Sequence, residues 1–436
     1  MNDYATTVKN TLFKLVDEMS EVSYLFAQNP EIDFTRNRKL NFETLIKFFL
    51  SMEGSSLSKE ILEYFQYDTD AASVSAFNQQ RKKLLPEALE FLFQEFNAAF
   101  LGKKKYHDFT ILACDGSDIN ITRNPDDEET YFQSTPNDKG FNQLHLNALY
   151  DVLERRYTDA LIQPARKKNE YRAMTDMIDR SRVDGNVIVI ADRGYESYNV
   201  FAHAEQKGWK YLIRVKDINS SGMVSSYPLP NQEEFDITVK KTLTRKQTKA
   251  VKQEPQKYKF LATSSTFDYL DLAQNKFYPI CFRIVRFRIS EDAYECIITN
   301  LDKEQFPSEK IKELYHLRWG IETSFRELKY AIGLNNFHAK KVAYITQEIF
   351  ARIIMYNYCE LITTHVVINQ KATKHTYQVN YTMAIHICRY FLKAVNIKPP
   401  NVEALLQKYI LPIRTGRHDP RKVKTQSSVS FLYRVA

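Results

Sequence analysis

Two short apolar runs, Phe109-Thr-Ile-Leu-Ala-Cys-Asp115 and Val187-Ile-Val-Ile-Ala-Asp192, each lead straight into an aspartate. A strand without polar alternation is buried on both faces, so helices must cover both sides of its sheet. An acid closing such a strand projects from the carboxyl edge, where open α/β sheets hold their ligands. The pattern around the two runs predicts strands at 144–150 and 157–162, helices at 170–182 and 197–206, and a strand at 210–215. Three sequential strands followed by alternating helices and strands require a mixed sheet with helices on its faces.

The rest of the chain divides around that unit. Residues 1–104 carry apolar side chains at helical spacing and predict an all-α N-terminal domain. Helices over 58–65 and from Ser73 onward, joined at Asp68, have the spacing of a helix-turn-helix that would offer Ser75, Asn78, Gln79 and Lys82 to DNA. Residues 105–216 are the first part of the core and 217–301 a β-rich insertion without helices, with strands at 235–243, 257–264, 277–289 and 293–301. Residues 302–370 are the second part of the core, opening with one long helix from Ser308 to Ile332. Residues 371–436 are a helical C-terminal region whose basic tail (Arg414, Arg417, Arg421, Lys422, Lys424) is expected to be loosely ordered. The expected fold class is α/β, a mixed sheet flanked by helices and interrupted by the insertion, an order compatible with the ribonuclease H-like topology.

Composition narrows the function. With 44% hydrophobic and 26% charged residues, the 436-residue chain is globular. Its five cysteines are scattered without a C-x-x-C pair, and no histidines have zinc spacing, so neither a disulfide framework nor a zinc site is expected. The 61 Lys and Arg against 53 Asp and Glu leave +8, which favours a polyanionic partner. The most apolar stretch, Ile349 to Ile368, contains Arg352, Asn357, Glu360 and His365, and is a buried helix rather than a membrane span. No secretory leader follows Met1, so a soluble cytoplasmic protein without membrane contact is expected.

The chemistry concentrates on the helix after the insertion. Tyr315, Arg318, Glu322 and Lys329 fall within about 60 degrees of one another on a wheel of about 100 degrees per residue, beside an apolar face of Leu314, Leu317, Ile321, Phe325 and Leu328. An ordinary i,i+4 ion pair accounts for Arg318 and Glu322 alone. Asp115 and Asp192 add two further acids able to meet Glu322 at one sheet edge. Asp118 lies close to Asp115, but strand alternation puts the two on opposite faces, and the apolar run directly precedes Asp115, which is the acid selected. A carboxylate-only cluster suits Mg2+ or Mn2+, and two such ions support in-line phosphoryl transfer, with Tyr315, Arg318 and Lys329 holding phosphates.

These residues carry a resemblance. Tyr315-x2-Arg318-x3-Glu322-x6-Lys329 is similar to the Y-R-E-K signature of DDE transposases of the insertion-sequence 4 family. Asp115-Gly-Ser resembles that family's first acidic block and Ala191-Asp192-Arg193-Gly194-Tyr195 its second. The resemblance covers residues 106 to 370 and implies Asp115, Asp192 and Glu322 as the catalytic and metal-holding triad for two Mg2+ (or Mn2+) ions. It implies Tyr315, Arg318 and Lys329 as DNA contacts, to which Arg193 and Tyr294 are added. Tyr294 either stacks on a flipped base, in a hairpin route, or packs as a strand aromatic. The partners so implied are double-stranded DNA, as transposon ends and target, and a second copy in a homodimer on DNA, in a bacterial, nucleoid-associated setting. The alternatives are a ribonuclease H-like nuclease or resolvase without strand transfer, and a catalytically inactive DNA-binding regulator. Eight basic residues between Asp236 and Lys259 are either a solvated face or further phosphate contacts.

Overall fold

The computed structural model describes residues 2–413 except 37, 272, 274–275, 292, 369–375 and 394–398, so the basic tail expected beyond Ile413 lies outside the described residues. Five helices open the chain: α1 (Asp3–Glu21), α2 (Phe42–Ser51), α3 (Leu57–Tyr64), α4 (Val74–Arg81) and α5 (Glu87–Ala98). In α1 the buried positions are Ala5, Val8, Leu12, Val16 and Met19, a three-to-four-residue period that makes one apolar face. Asn41, Ser56 and Ser73 start α2, α3 and α4 by accepting the N–H groups of Thr44, Lys59 and Ala76. Ser75, Asn78, Gln79 and Lys82 are exposed along α4 and at its end.

Next come β1 (Thr110–Ile121), β2 (Tyr131–Phe132), β3 (Phe141–Asp151), β4 (Arg156–Pro164), α6 (Glu170–Arg180), β5 (Val187–Ala191), α7 (Tyr198–Gln206) and β6 (Lys210–Val215). These are followed by β7 (Phe235–Thr244), α8 (Lys249–Gln253), β8 (Tyr258–Phe260), β9 (Tyr278–Ser290) and β10 (Ala293–Thr299). The chain closes with α9 (Ser308–His316), α10 (Trp319–Glu327), a π-turn (Leu328–Ile332), α11 (Val342–His365), β11 (Tyr377–Val379), α12 (Tyr381–Lys393), α13 (Val402–Lys408) and β12 (Ile410–Pro412).

One mixed sheet of ten strands organises the molecule. β4, β3 and β1 are antiparallel neighbours, β5 lies parallel to β1 and β6 parallel to β5, the strand order of the expected ribonuclease H-like core. β10 then pairs antiparallel with β6, so β9, β7 and β8 prolong this same sheet. One face, with Leu112, Cys114, Val189, Ala191 and Ile213, packs on Met174 and Met177 of α6 and Val200 and Phe201 of α7. The other, with Ile111, Ile188, Ile190 and Leu212, packs on Ile311 and Leu314 of α9. α11 is buried between α5, α1, α2, α12 and β4, and no helix among the described residues is long and apolar enough to cross a membrane.

Four expectations are corrected. β1 does not stop at Asp115 but continues to Ile121, because Ile119 and Ile121 alternate into the core and β3 supplies backbone partners throughout. The insertion contains a helix, α8, started by Thr248 accepting the Val251 N–H, and the strand expected over 257–264 is only Tyr258–Phe260. The long helix from Ser308 is interrupted: Leu317, Arg318, Gly320 and Ile321 all bond three residues back, tightening the turn between α9 and α10, and a wider π-turn follows at Lys329. The C-terminal region also carries the strand pair β11 and β12.

A buried ionic cluster fixes the helical lobe to the segment after α10. Glu348 of α11 accepts from Arg81 at 3.0 Å, from Arg352 at 3.3 Å and from the N–H groups of His338 and Ala339. His338 stands 3.0 Å from the Ser55 carbonyl and 3.4 Å from Glu60 of α3. Burial alone would raise Glu348, but His338, Arg81 and Arg352 hold it far below the usual carboxylate range. Burial likewise opposes charge on His338, yet Glu348 and Glu60 lift it to about 9.

Two outcomes follow. Glu348→Gln should cost about 3–5 kcal/mol, since it strands two buried guanidinium groups, and a loss below about 1 kcal/mol in denaturant unfolding would refute that role. His338 is raised above its unfolded value of about 6.5, so its contribution is complete below that pH and is lost as pH rises through about 9. Melting temperature should therefore decline across that window, and His338→Asn should flatten the decline.

Candidate active site

Asp115 owes its position to the end of a ladder. β1 and β5 stay paired through Cys114 and Ala191, and the next residue of each chain is an aspartate. Asp192 turns out of the sheet and caps a short 3-10 turn by accepting the Gly194 N–H at 2.8 Å. Asp115 stays in the strand, its side chain one-fifth exposed, and accepts the Gly116 N–H at 2.8 Å.

Glu322 reaches the same place from α10. Arg318 donates to its Oε1 at 2.7 Å, and the other end of that guanidinium stands 3.8 Å from Asp115 Oδ2. Burial, followed by repulsion from Asp192 and Glu322, lifts Asp115 to about 7 against the opposing pull of the Gly116 N–H and Arg318. Asp115 is thus within electrostatic reach of both Asp192 and Glu322, with Arg318 the counter-charge between Asp115 and Glu322. Trp319, half exposed, lies under the same guanidinium at 4.9 Å.

The remaining stripe residues have distinct surroundings. Tyr315 is buried with an unpartnered hydroxyl, and burial pushes it up to about 12. Lys329 donates to the Asp118 carbonyl at 2.8 Å, and burial lowers its pKa. Arg193 and Tyr294 line one cavity of about 330 Å³ with Arg214, Lys216 and Ser220, the wall between β6 and β10. The Tyr294 ring lies 4.0 Å from the Arg286 guanidinium and its hydroxyl donates to Glu233 at 2.5 Å. Within the basic run, Lys241 and Arg245 donate to backbone carbonyls of the insertion.

Sequence reasoning missed a second charged group behind β1. Asp118 stands 2.6 Å from Nδ1 of His145, and Nε2 of that ring is 3.1 Å from Glu170. The pair exists because β3 sets His145 directly opposite Asp118, a register no spacing in the chain reveals. Arg214 on β6 and Lys216 just after it also escaped notice, since neither belongs to a local motif.

The acids fit a hard divalent cation in kind: they are all oxygen donors, and Asp115 is strained towards protonation by neighbours a cation would neutralise. As arranged, no three His, Cys, Asp or Glu side chains among the described residues are set to hold a metal, and Arg318 takes the bridging position. Asp115 has a folded pKa near 7 against about 3.9 unfolded, so it lowers stability progressively as pH rises between those values. In metal-free buffer Asp115→Asn should therefore melt higher than the parent at pH 8 and much the same near pH 4. An equal or lower melting temperature at pH 8 would contradict the electrostatic description.

Comparison of the sequence with curated proteins gives no match. Among solved structures, the chain is similar to the piggyBac transposase in its synaptic complex with hairpin DNA, at a TM-score of 0.48 and 10% identity over 92% of this chain and 81% of that one. The family model described as the transposase DDE domain matches residues 106–358. That span is more than half of the chain and holds every strand of the mixed sheet together with Asp115, Asp192 and Glu322, and the protein belongs to the transposase DDE domain family.

Proposed function

We propose that this protein binds the ends of an insertion sequence, cleaves the DNA and joins the ends to target DNA, as a transposase of the insertion-sequence 4 type. The observation carrying this reading is the Arg318 guanidinium bridging Asp115 of β1 and Glu322 of α10, a cation already accommodated between two of the acids, with the charge of Asp192 felt at Asp115. Asp115, Asp192 and Glu322 would hold two Mg2+ or Mn2+ ions, which when bound activate the attacking oxygen and stabilise the leaving one.

The side chains have separate tasks. Arg318 exchanges its carboxylate partners for a DNA phosphate, keeping a charge-assisted bond on either side of the exchange. The unpartnered Tyr315 hydroxyl donates to a phosphate oxygen. Lys329 anchors the Asp118 backbone and so fixes β1 beside the acids. Arg193, Arg214 and Lys216 give the adjoining cavity a positive wall for the backbone of an end, with Tyr294 at its rim. Two copies acting on paired ends are part of the same reading.

Glu322→Gln should leave binding of an end duplex within about threefold while abolishing cleavage and joining in Mg2+, because the amide keeps the shape and loses the charge. Retained cleavage would remove Glu322 from the triad. Arg318→Ala should weaken end binding and lower the log–log salt slope by about one. Cleavage without joining, in a strand-transfer assay on element ends, would favour a nuclease or resolvase, and binding without Mg2+-dependent cleavage would favour a regulator.

A further inference from the structure

Gly116 follows Asp115, and Gly194 lies two residues after Asp192. Neither has the left-handed φ that would itself call for glycine, so the reason lies in space. A Cβ at Gly116 would stand 2.3 Å from Nε2 of His145 and 3.3 Å from one Glu170 oxygen. A Cβ at Gly194 would stand 3.3 Å from the other Glu170 oxygen and 2.9 Å from Asp192 Oδ1. The Glu170 carboxylate thus presses one oxygen towards each acid-bearing segment. His145, 2% exposed, stands behind it with Asp118 on its far nitrogen at 2.6 Å.

We infer that Asp118, His145 and Glu170 form a charged strut that sets the spacing between the Asp115 and Asp192 segments, with His145 the positioning residue. The inference rests on the reading of Asp115 and Asp192 as metal-holding acids. Without the imidazole between them, the Asp118 and Glu170 carboxylates would repel, and Glu170 would lose the group that holds it against both glycines. The ring is buried and bonded to Asp118, whereas Asp118 and Glu170 are partly exposed and bring charge from within β1 and from the first turn of α6. Lys168 approaches Asp118 to 3.8 Å from outside, and Lys329 holds the Asp118 carbonyl from the α10 side, so the strut is braced from both directions. The arrangement has the form of an outer shell that orients ligands without touching the ion, a role whose loss weakens metal binding by about 10- to 100-fold.

The test is Mn2+ titration calorimetry on the full chain without DNA, comparing the parent with His145→Ala, His145→Gln, His145→Leu, Gly116→Ala and Asp192→Asn. The strut requires His145→Ala and Gly116→Ala to weaken Mn2+ binding at least about tenfold, with circular dichroism unchanged. His145→Gln, which can still bond one carboxylate, should recover part of the loss, whereas His145→Leu, similar in volume but with no hydrogen-bonding group, should not, and equal recovery by both would overturn the strut. If His145→Ala fails to fold, Gly116→Ala and His145→Gln carry the comparison. Parent-like binding by His145→Ala and Gly116→Ala, alongside loss in Asp192→Asn, would overturn the strut and leave the acid assignment standing. A parent chain that takes up no Mn2+, or an Asp192→Asn chain that binds like the parent, would overturn the acid assignment and the strut with it.

Discussion

β1 has two neighbours that disagree about where the sheet ends, and the site depends on that disagreement. β5 accompanies it in parallel only from Thr110 to Cys114, while β3 accompanies it antiparallel all the way to Ile121. Where the parallel ladder stops, β1 and the chain leaving β5 separate, and a crevice opens at the carboxyl edge. Asp115 and Asp192 are the first residues on either side of that opening. Because β3 keeps β1 extended beyond it, the strand stays stiff at the point where the acid side chain emerges.

The helices close on this opening by different means. α10 packs on β1 and lays Gly320 beside Tyr150 and Val152, where even a Cβ would meet them only at ordinary contact distances of 3.6 Å and more. Glu322, two residues on, is thereby brought to the level of Asp115. Further along, the chain leaving the π-turn is tied down by Arg352, which donates to the carbonyls of Gly333, Asn336 and Glu53. The helical lobe and α11 therefore do more than cover a sheet face, because the same buried charges that join them also moor the far end of the acid-bearing helix.

Much of this could be read from the chain, and most of the exceptions share a cause. The apolar runs before Asp115 and Asp192 announced buried strands, and helical spacing in α1 and α11 announced their buried faces, since period alone determines which side chains turn inward. The stripe of Tyr315, Arg318, Glu322 and Lys329 was legible as one side of a helix. What the chain withheld was pairing between distant segments: the opposition of Asp118 and His145 across β1 and β3, the Glu170 carboxylate between two glycines, and the joining of β10 to β6. The continuation of β1 past Asp115 was present in the alternation of Ile119 and Ile121 but masked by Gly116-Ser-Asp, residues with little preference for strands. The short α8 lay in a basic run whose charges obscured its Thr248 cap.

The helix carrying Glu322 departs from ideal winding twice, and in opposite senses. Around Arg318 the backbone bonds three residues back and is overwound, and from Leu328 to Ile332 it is a π-turn and underwound. The overwound turn lies ahead of Glu322 and the underwound one begins just after Glu327, so Glu322 sits on a regular stretch of α10 held between two departures of opposite sense. Deleting Leu328, the first residue of the π-turn, would restore regular winding yet rotate Lys329 by about 100 degrees, away from the Asp118 carbonyl. The phase of this helix is thus set by how many residues the chain spends on each turn, a kind of counting in which a locally better helix is a worse part of the whole.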